Sequence, residues 1–148
     1  MKFDPTQRFG FLVNEVGRLY GRRFDQLARQ QLGLSRAQVR LLGVLAMHEG
    51  EPLTQAAIAD RLDLSAMTVA GLCDRMETAG WIRRRPSPTD RRANEIDLQP
   101  QARDALEQAM AIGDAVTTQA LAGLNTAEQR QLLELLRKAH ANLSSSTP

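Results

Sequence analysis

The chain has a single cysteine, so no internal disulfide forms. Histidine is almost as scarce. His48, His140 and Cys73 stand far apart without metal-ligand spacing, so neither a metal nor another cofactor is expected. Aromatic residues are 4% of the sequence, and three of the four phenylalanines (Phe9, Phe11 and Phe24) fall in one N-terminal stretch with the only tyrosine, Tyr20. Few aromatics and few strand-like segments favour helix. No apolar run approaches the ~20 residues that span a bilayer, and the start Met-Lys-Phe-Asp-Pro lacks a signal-peptide layout. A cytoplasmic protein without membrane contact is expected. There is no nucleophile–base pair, phosphate loop or metal cluster to support an enzyme. Lysine is nearly absent, leaving seventeen of the nineteen basic residues as arginine, a bias that a GC-rich genome would also produce. The 148 residues are one domain's worth, without repeats or a low-complexity linker.

What is present concentrates in residues 53–98. Thr54 is a helix N-cap, and Ile58 and Leu62 lie one turn apart on one face of a short helix. A break at Asp63-Leu64 leads to a second cap, Ser65, and Val69, Leu72, Cys73 and Met76 then repeat as a stripe that must be buried. Gly80 supplies the left-handed residue that closes this helix. Two helices joined by so short a turn, the second with small polar residues facing out, form the geometry in which a second helix enters a DNA major groove. Ile82-Arg83-Arg84-Arg85 and Asn94-Glu95-Ile96-Asp97-Leu98 are expected to form a hairpin, with Pro86 to Arg92 as its tip. Residues 82–92 hold five arginines and one aspartate, +4 in a chain whose total is +2, so the remainder is slightly acidic. Counterion release from a phosphate backbone rewards such concentration. A solvated charged loop is the alternative.

Three further amphipathic helices flank this module. Residues 6–31 carry Phe9, Leu12, Val13, Val16, Leu19, Tyr20, Phe24 and Leu27 at helical spacing, and Gly33 ends them. This is more apolar surface than one neighbour covers, which suggests burial against a second subunit or around a small apolar ligand. Ser35 and Gln38 form a capping box for a helix running to about Met47, and Leu53 is placed to add a third short strand. Pro100 opens a helix to about 123, with Ala102, Leu106, Ala109, Met110 and Val116 on its apolar side. Asn125 and Glu128 cap a last helix through Leu132, Leu133, Leu136 and Ala139, and residues 144–148 are expected to fray. Packed together, these three helices would make a dimerisation unit, and a palindromic site would mirror its two-fold axis.

These residues resemble the MarR-type winged helix-turn-helix transcriptional regulators. The likeness is carried by Leu53-Thr54-Gln55, Ile58-Ala59, Leu64-Ser65, Thr68-Val69, Asp74-Arg75-Met76-Glu77, Ala79-Gly80-Trp81-Ile82-Arg83-Arg84, Asp90-Arg91-Arg92-Ala93 and Ile96-Asp97-Leu98. The Asp-Arg-Arg tip at this distance from the Gly-Trp-Ile-Arg-Arg strand is its most specific part. The resemblance implies a mainly α fold with a small β wing, a winged helix-turn-helix (35–99) flanked by N- and C-terminal dimerisation helices (1–34 and 100–148). It implies a homodimer on a pseudo-palindromic double-stranded DNA operator, usually a repressor, often released by small phenolic or lipophilic compounds or oxidants. Ser65, Thr68 and Arg75 would lie in or beside the major groove and Arg92 in the minor groove, with Asp90 orienting the wing arginines. The run Arg83, Arg84 and Arg85 would meet phosphates, although three consecutive strand side chains cannot all point one way, and Arg91 is a further DNA-binding candidate. For Arg75 an intramolecular salt bridge is an equal alternative.

The chain departs from the family at Val69-Ala70-Gly71, where polar or basic residues are common. Met67 and Gly71 fall at the centre of the outward face and neither makes a bidentate bond to a base. Base readout is therefore expected to be thin, with Thr68 or Met67 touching thymine methyls and the wing reading shape. Cys73, on the buried stripe, is expected to behave as a small hydrophobe rather than a redox sensor. The family suggests an effector pocket between the dimerisation helices and the DNA-binding lobe, with Tyr20, Phe24, His48 and Trp81 as candidate lining. A winged-helix module that binds protein rather than DNA is the competing function.

Overall fold

Among the described residues, four of the six α-helices begin where a side-chain oxygen caps them. A computed structural model describes residues 3–146. A 3-10 turn, Pro5–Gln7, precedes helix α1, Phe9–Leu32. Arg8 between them is extended, so the expected helical run starts three residues late. Gly33, at φ 69°, closes α1 in the left-handed conformation that an L side chain resists. Helix α2, Arg36–Met47, opens on the Ser35–Gln38 capping box. Its first amide, Arg36 N–H, is taken by Asp25 of α1 at 2.8 Å. That amide and the Arg29 guanidinium hold the Asp25 carboxyl below the usual range.

Thr54 and Ser65 cap α3 (Gln55–Leu62) and α4 (Ala66–Thr78) as the sequence implies. The turn between these helices is made by Asp63, the one non-glycine residue at positive φ (53°) among the described residues. Short polar side chains tolerate that region better than most. Strands β1 (Leu53–Thr54), β2 (Ile82–Pro86) and β3 (Asn94–Leu98) form an antiparallel sheet in the order β1-β3-β2. Leu53 pairs with Ile96, and Arg84 faces Ile96 from the other side.

The core sits where α2, α3 and α4 meet this sheet. Leu41, Leu42, Ile58, Val69, Cys73, Met76 and Ile82 are almost wholly shielded from solvent. Fully burying side chains of this size stabilises by roughly 1.5–3 kcal/mol each.

Helix α5, Pro100–Ala120, packs along α1 through Ala102, Ala105, Ala109, Ile112 and Val116. Met110, expected on this face, is exposed instead, and Ile112 takes the buried position. The helix stops three residues short of 123 because residues 121–123 turn toward Gly123 at φ 89°.

Helix α6, Thr126–Ser145, starts at the Asn125–Glu128 capping box and buries none of its side chains. It continues past the point where fraying was expected, while residues 147 and 148 lie outside the described range. No helix among the described residues is long and apolar enough to cross a membrane.

Candidate nucleic-acid interface

The outer face of α4 and the β2–β3 hairpin lie side by side because the chain passes from one to the other through Gly80 and Trp81. Trp81 N–H donates to Met76 O at 2.9 Å and Trp81 O accepts from Gln99 N–H at 3.0 Å, so the wing's base is fastened to the helix end. Ser65 Oγ accepts from the Thr68 amide at 3.1 Å and bonds the Thr68 hydroxyl at 2.8 Å. Both candidates are exposed at the helix start, and both already serve the cap. Met67 projects furthest, at 84% exposure. Arg75 is exposed and has no acidic partner among the described residues, so the salt-bridge alternative is not what its environment offers.

The wing tip is built by two short side chains. Ser87, buried at the hairpin neck, accepts from the amides of Thr89 and Asp90 at 3.3 Å each, and its own amide donates to Ala93 O. Asp90 Oδ1 accepts from the Arg92 amide at 2.9 Å. Asp90 therefore orients Arg92 through the main chain rather than by pairing with its guanidinium. Arg91 and Arg92 extend into solvent.

The five wing arginines divide into two classes. Arg83, Arg91 and Arg92 are exposed and have no ion pair among the described residues. Arg84 and Arg85 depart from the expectation that they face a phosphate backbone. Arg84 turns under the sheet to Asp74 (2.7 Å) and Glu77 (3.1 Å) of α4, and its amide donates to Glu77 Oε2 at 2.6 Å. These donors hold the Glu77 carboxyl below its ordinary range, the backbone amide most of all. Arg85 lies across β3, on Asp97 at 2.7 Å and the buried Glu95 at 2.9 Å. Carboxylates that already neutralise a guanidinium leave it little to gain from phosphate.

Sequence reasoning missed Ser87 and the acids Glu77, Glu95 and Asp97 as parts of this face. Glu77 alone left a signal, seven residues before an arginine across a helix–strand turn.

The four candidate pocket residues do not converge. Tyr20 lines a cleft of about 570 Å³ between α1 and α5, together with Val16, Leu19, Arg22, Arg23 and Val116. Its hydroxyl donates to Gly113 O at 3.3 Å, and Phe24 lies close to the same glycine. His48 instead borders a separate depression behind the wing, where its Nδ1 lies 2.9 Å from Val44 O at the end of α2. Trp81 is half-buried against the core. Phe24 and Trp81 line neither cleft. Helix-end and core duties thus occupy three of the four. Among the described residues no cluster of histidine, cysteine or carboxylate has the makings of a metal site.

This geometry can be set beside known proteins. The sequence pattern of the MarR family matches residues 32–93, from the end of α1 through α2, α3, α4 and the wing tip. The transcriptional regulator HosA of Escherichia coli O111:H- is 30% identical over 105 residues, 71% of this chain and 76% of that protein. The chain belongs to the MarR family. It is a transcriptional regulator with a winged helix-turn-helix. Wild-type apo MarR from E. coli superposes with a TM-score of 0.81 at 21% identity, covering 94% of this chain and 98% of that one. Staphylococcus aureus MepR, in a structure with DNA, superposes at 0.74 and 24% identity, covering 95% and 99%. At these identities the likeness concerns the MarR fold, which it matches over nearly all of its length.

Proposed function

We propose that this regulator acts as a homodimer that binds a pseudo-palindromic DNA operator, represses by occupying it, and is released by a small aromatic or lipophilic effector. The observation that carries the DNA reading is the set of exposed arginines without an ion pair among the described residues, Arg83, Arg91 and Arg92, on the hairpin beside the exposed face of α4. Exposed basic side chains that form no ion pair release counterions when they meet phosphates, and Arg92 at a hairpin tip suits a narrow, strongly negative minor groove. In this reading Ser65, Met67 and Thr68 line the major-groove side. Residues 1–34 and 100–148 supply the dimer contacts and residues 35–99 the DNA-binding lobe. The MepR structure, which contains DNA, supports the same use of the fold. The cleft beside Tyr20 lies within the 300–1,000 Å³ usual for small-molecule sites. An effector that binds one spacing of the two lobes better than another shifts the dimer away from its operator.

The test is fluorescence anisotropy of the protein with duplex DNA from upstream of its own gene. A scrambled duplex is the control, at two salt concentrations, with and without salicylate-like phenols. The reading expects tight, sequence-preferring, salt-sensitive binding that a phenol weakens. If neither this duplex nor any fragment from a genomic selection is preferred over the scrambled control, the DNA reading fails and a protein partner replaces it.

A further inference from the structure

Gly71 stands in the middle of α4, on the face left open to solvent, at a position where glycine is destabilising relative to alanine. Nothing in the fold requires it. Its φ is not positive, and outside the helix's own backbone the only atoms within 4 Å of a Cβ built there belong to one side chain. Those atoms are Arg75 Nη1 at 3.5 Å and Nη2 at 3.9 Å. Helical side chains lean toward the N-terminus, so residue 75 reaches back one turn over residue 71. Because position 71 is bare, the end of the guanidinium comes within van der Waals reach of the helix there, on its exposed side. Asp74, the adjacent acid, is held by Arg84 at 2.7 Å, and Arg75 forms no ion pair among the described residues.

From this placement we infer that Gly71 and Arg75 form one base-reading unit. The guanidinium, seated over Gly71, presents its donor fork to O6 and N7 of a guanine at the middle of each half-site. This rests on the DNA reading above and gives α4 the bidentate donor that Val69-Ala70-Gly71 lacks. It also gives the glycine a purpose outside the protein, since a larger side chain would lift the fork away and hold the helix off the base edges.

The experiment is an in vitro selection from random duplexes with the wild-type protein, R75K and G71L, followed by anisotropy titrations over a range of salt. Lysine keeps the charge but not the planar fork. R75K is expected to lose preference for one guanine per half-site and to bind the wild-type consensus at least 10-fold more weakly, with an unchanged salt slope. Replacing that guanine by 7-deazaguanine removes the N7 acceptor, and should weaken the wild type by a similar factor while leaving R75K unaffected. G71L should melt no lower than wild type and show the same loss of guanine preference. A consensus unchanged in R75K, or a 7-deazaguanine effect equal in both proteins, overturns the inference while sparing the DNA reading. G71L binding like wild type overturns the part assigned to Gly71. A wild-type protein that selects no consensus overturns both readings.

Discussion

Arg92 and Thr68 both face solvent, but their side chains are differently committed. The Thr68 hydroxyl already bonds Ser65, whereas the Arg92 guanidinium has no ion pair among the described residues and only its backbone is fixed, by Asp90. Arg92→Ala is therefore expected to weaken duplex binding more than Thr68→Ala at matched salt, and equal or reversed losses would count against the wing as the main DNA contact. Arg83→Ala, if it removes a single phosphate contact, should flatten the salt dependence by about one charge. Cys73 supports a prediction of a different kind. Burial pushes its thiol up from 9.0 to about 11, and a protonated, enclosed thiol is a poor nucleophile. The native protein should resist thiol reagents at neutral pH and react fully once unfolded; stoichiometric labelling of the folded protein would favour the redox-sensor reading. Because the folded pKa lies above the unfolded one, the unfolded chain loses this proton first. The thiol's contribution is complete below about pH 9 and declines as pH rises toward 11, which a pH series of urea melts would register. At this scale the caps at Thr54, Ser65 and Asn125 were legible, because a cap depends on residues three apart. The partners of Arg84 and Arg85 were not, because they follow from sheet register and from which helix lies beneath the strand.

Between elements, the strap that joins β2 to α4 is the feature with the clearest consequence. Arg84 ties Asp74, Glu77 and Gln55 together and so fastens the wing to the helices beside it. Arg84→Ala should cost about 1–2 kcal/mol, since hydrogen bonds to charged groups are worth more than neutral ones, and lower Tm by a few degrees. It should also weaken DNA binding without changing the salt slope, which separates a positioning residue from a phosphate contact; a reduced slope would return Arg84 to the DNA surface. The Glu77 carboxyl titrates below its ordinary 4.5 because of the Arg84 amide and guanidinium. Its contribution is therefore present above that value and lost as pH falls through the lower, folded one. Element order and most helix ends were readable because hydrophobic periodicity and caps are local. The placement of Ile112 rather than Met110 against α1 was not, since both fit one broad stripe and only the crossing of two helices selects between them. The scattering of Tyr20, His48 and Trp81 to separate surroundings was equally hidden, for a pocket is a property of tertiary packing.

For the whole molecule, one chain exposes more surface than its mass leads one to expect. A folded monomer of this mass typically exposes about 7,500 Å², whereas this chain exposes 10680 Å². The excess coincides with apolar side chains that no part of the chain covers. Phe9, Leu12, Val13, Val16 and Leu19 on α1 and Leu133, Leu135 and Leu136 on α6 are all exposed, and no described residue of α6 is fully buried. Patches of this extent mark an interaction surface, and a two-fold interface in which α1 and α6 of each copy cover one another would bury both stripes at once. Obligate dimer interfaces commonly exceed 2,000 Å², which the excess is large enough to supply. A charge placed on each stripe, Leu12→Glu with Leu136→Glu, should leave the core of α2, α3 and α4 intact because neither residue touches it. The double variant is expected to run as a monomer by light scattering and to keep the helical circular dichroism of the lobe. It should bind a two-half-site duplex at least 100-fold more weakly than wild type while binding a single half-site nearly as well, because the second contact is no longer tethered to the first. A variant that remains dimeric would place the interface elsewhere, and a monomer that binds the full operator undiminished would show that the two lobes read DNA independently.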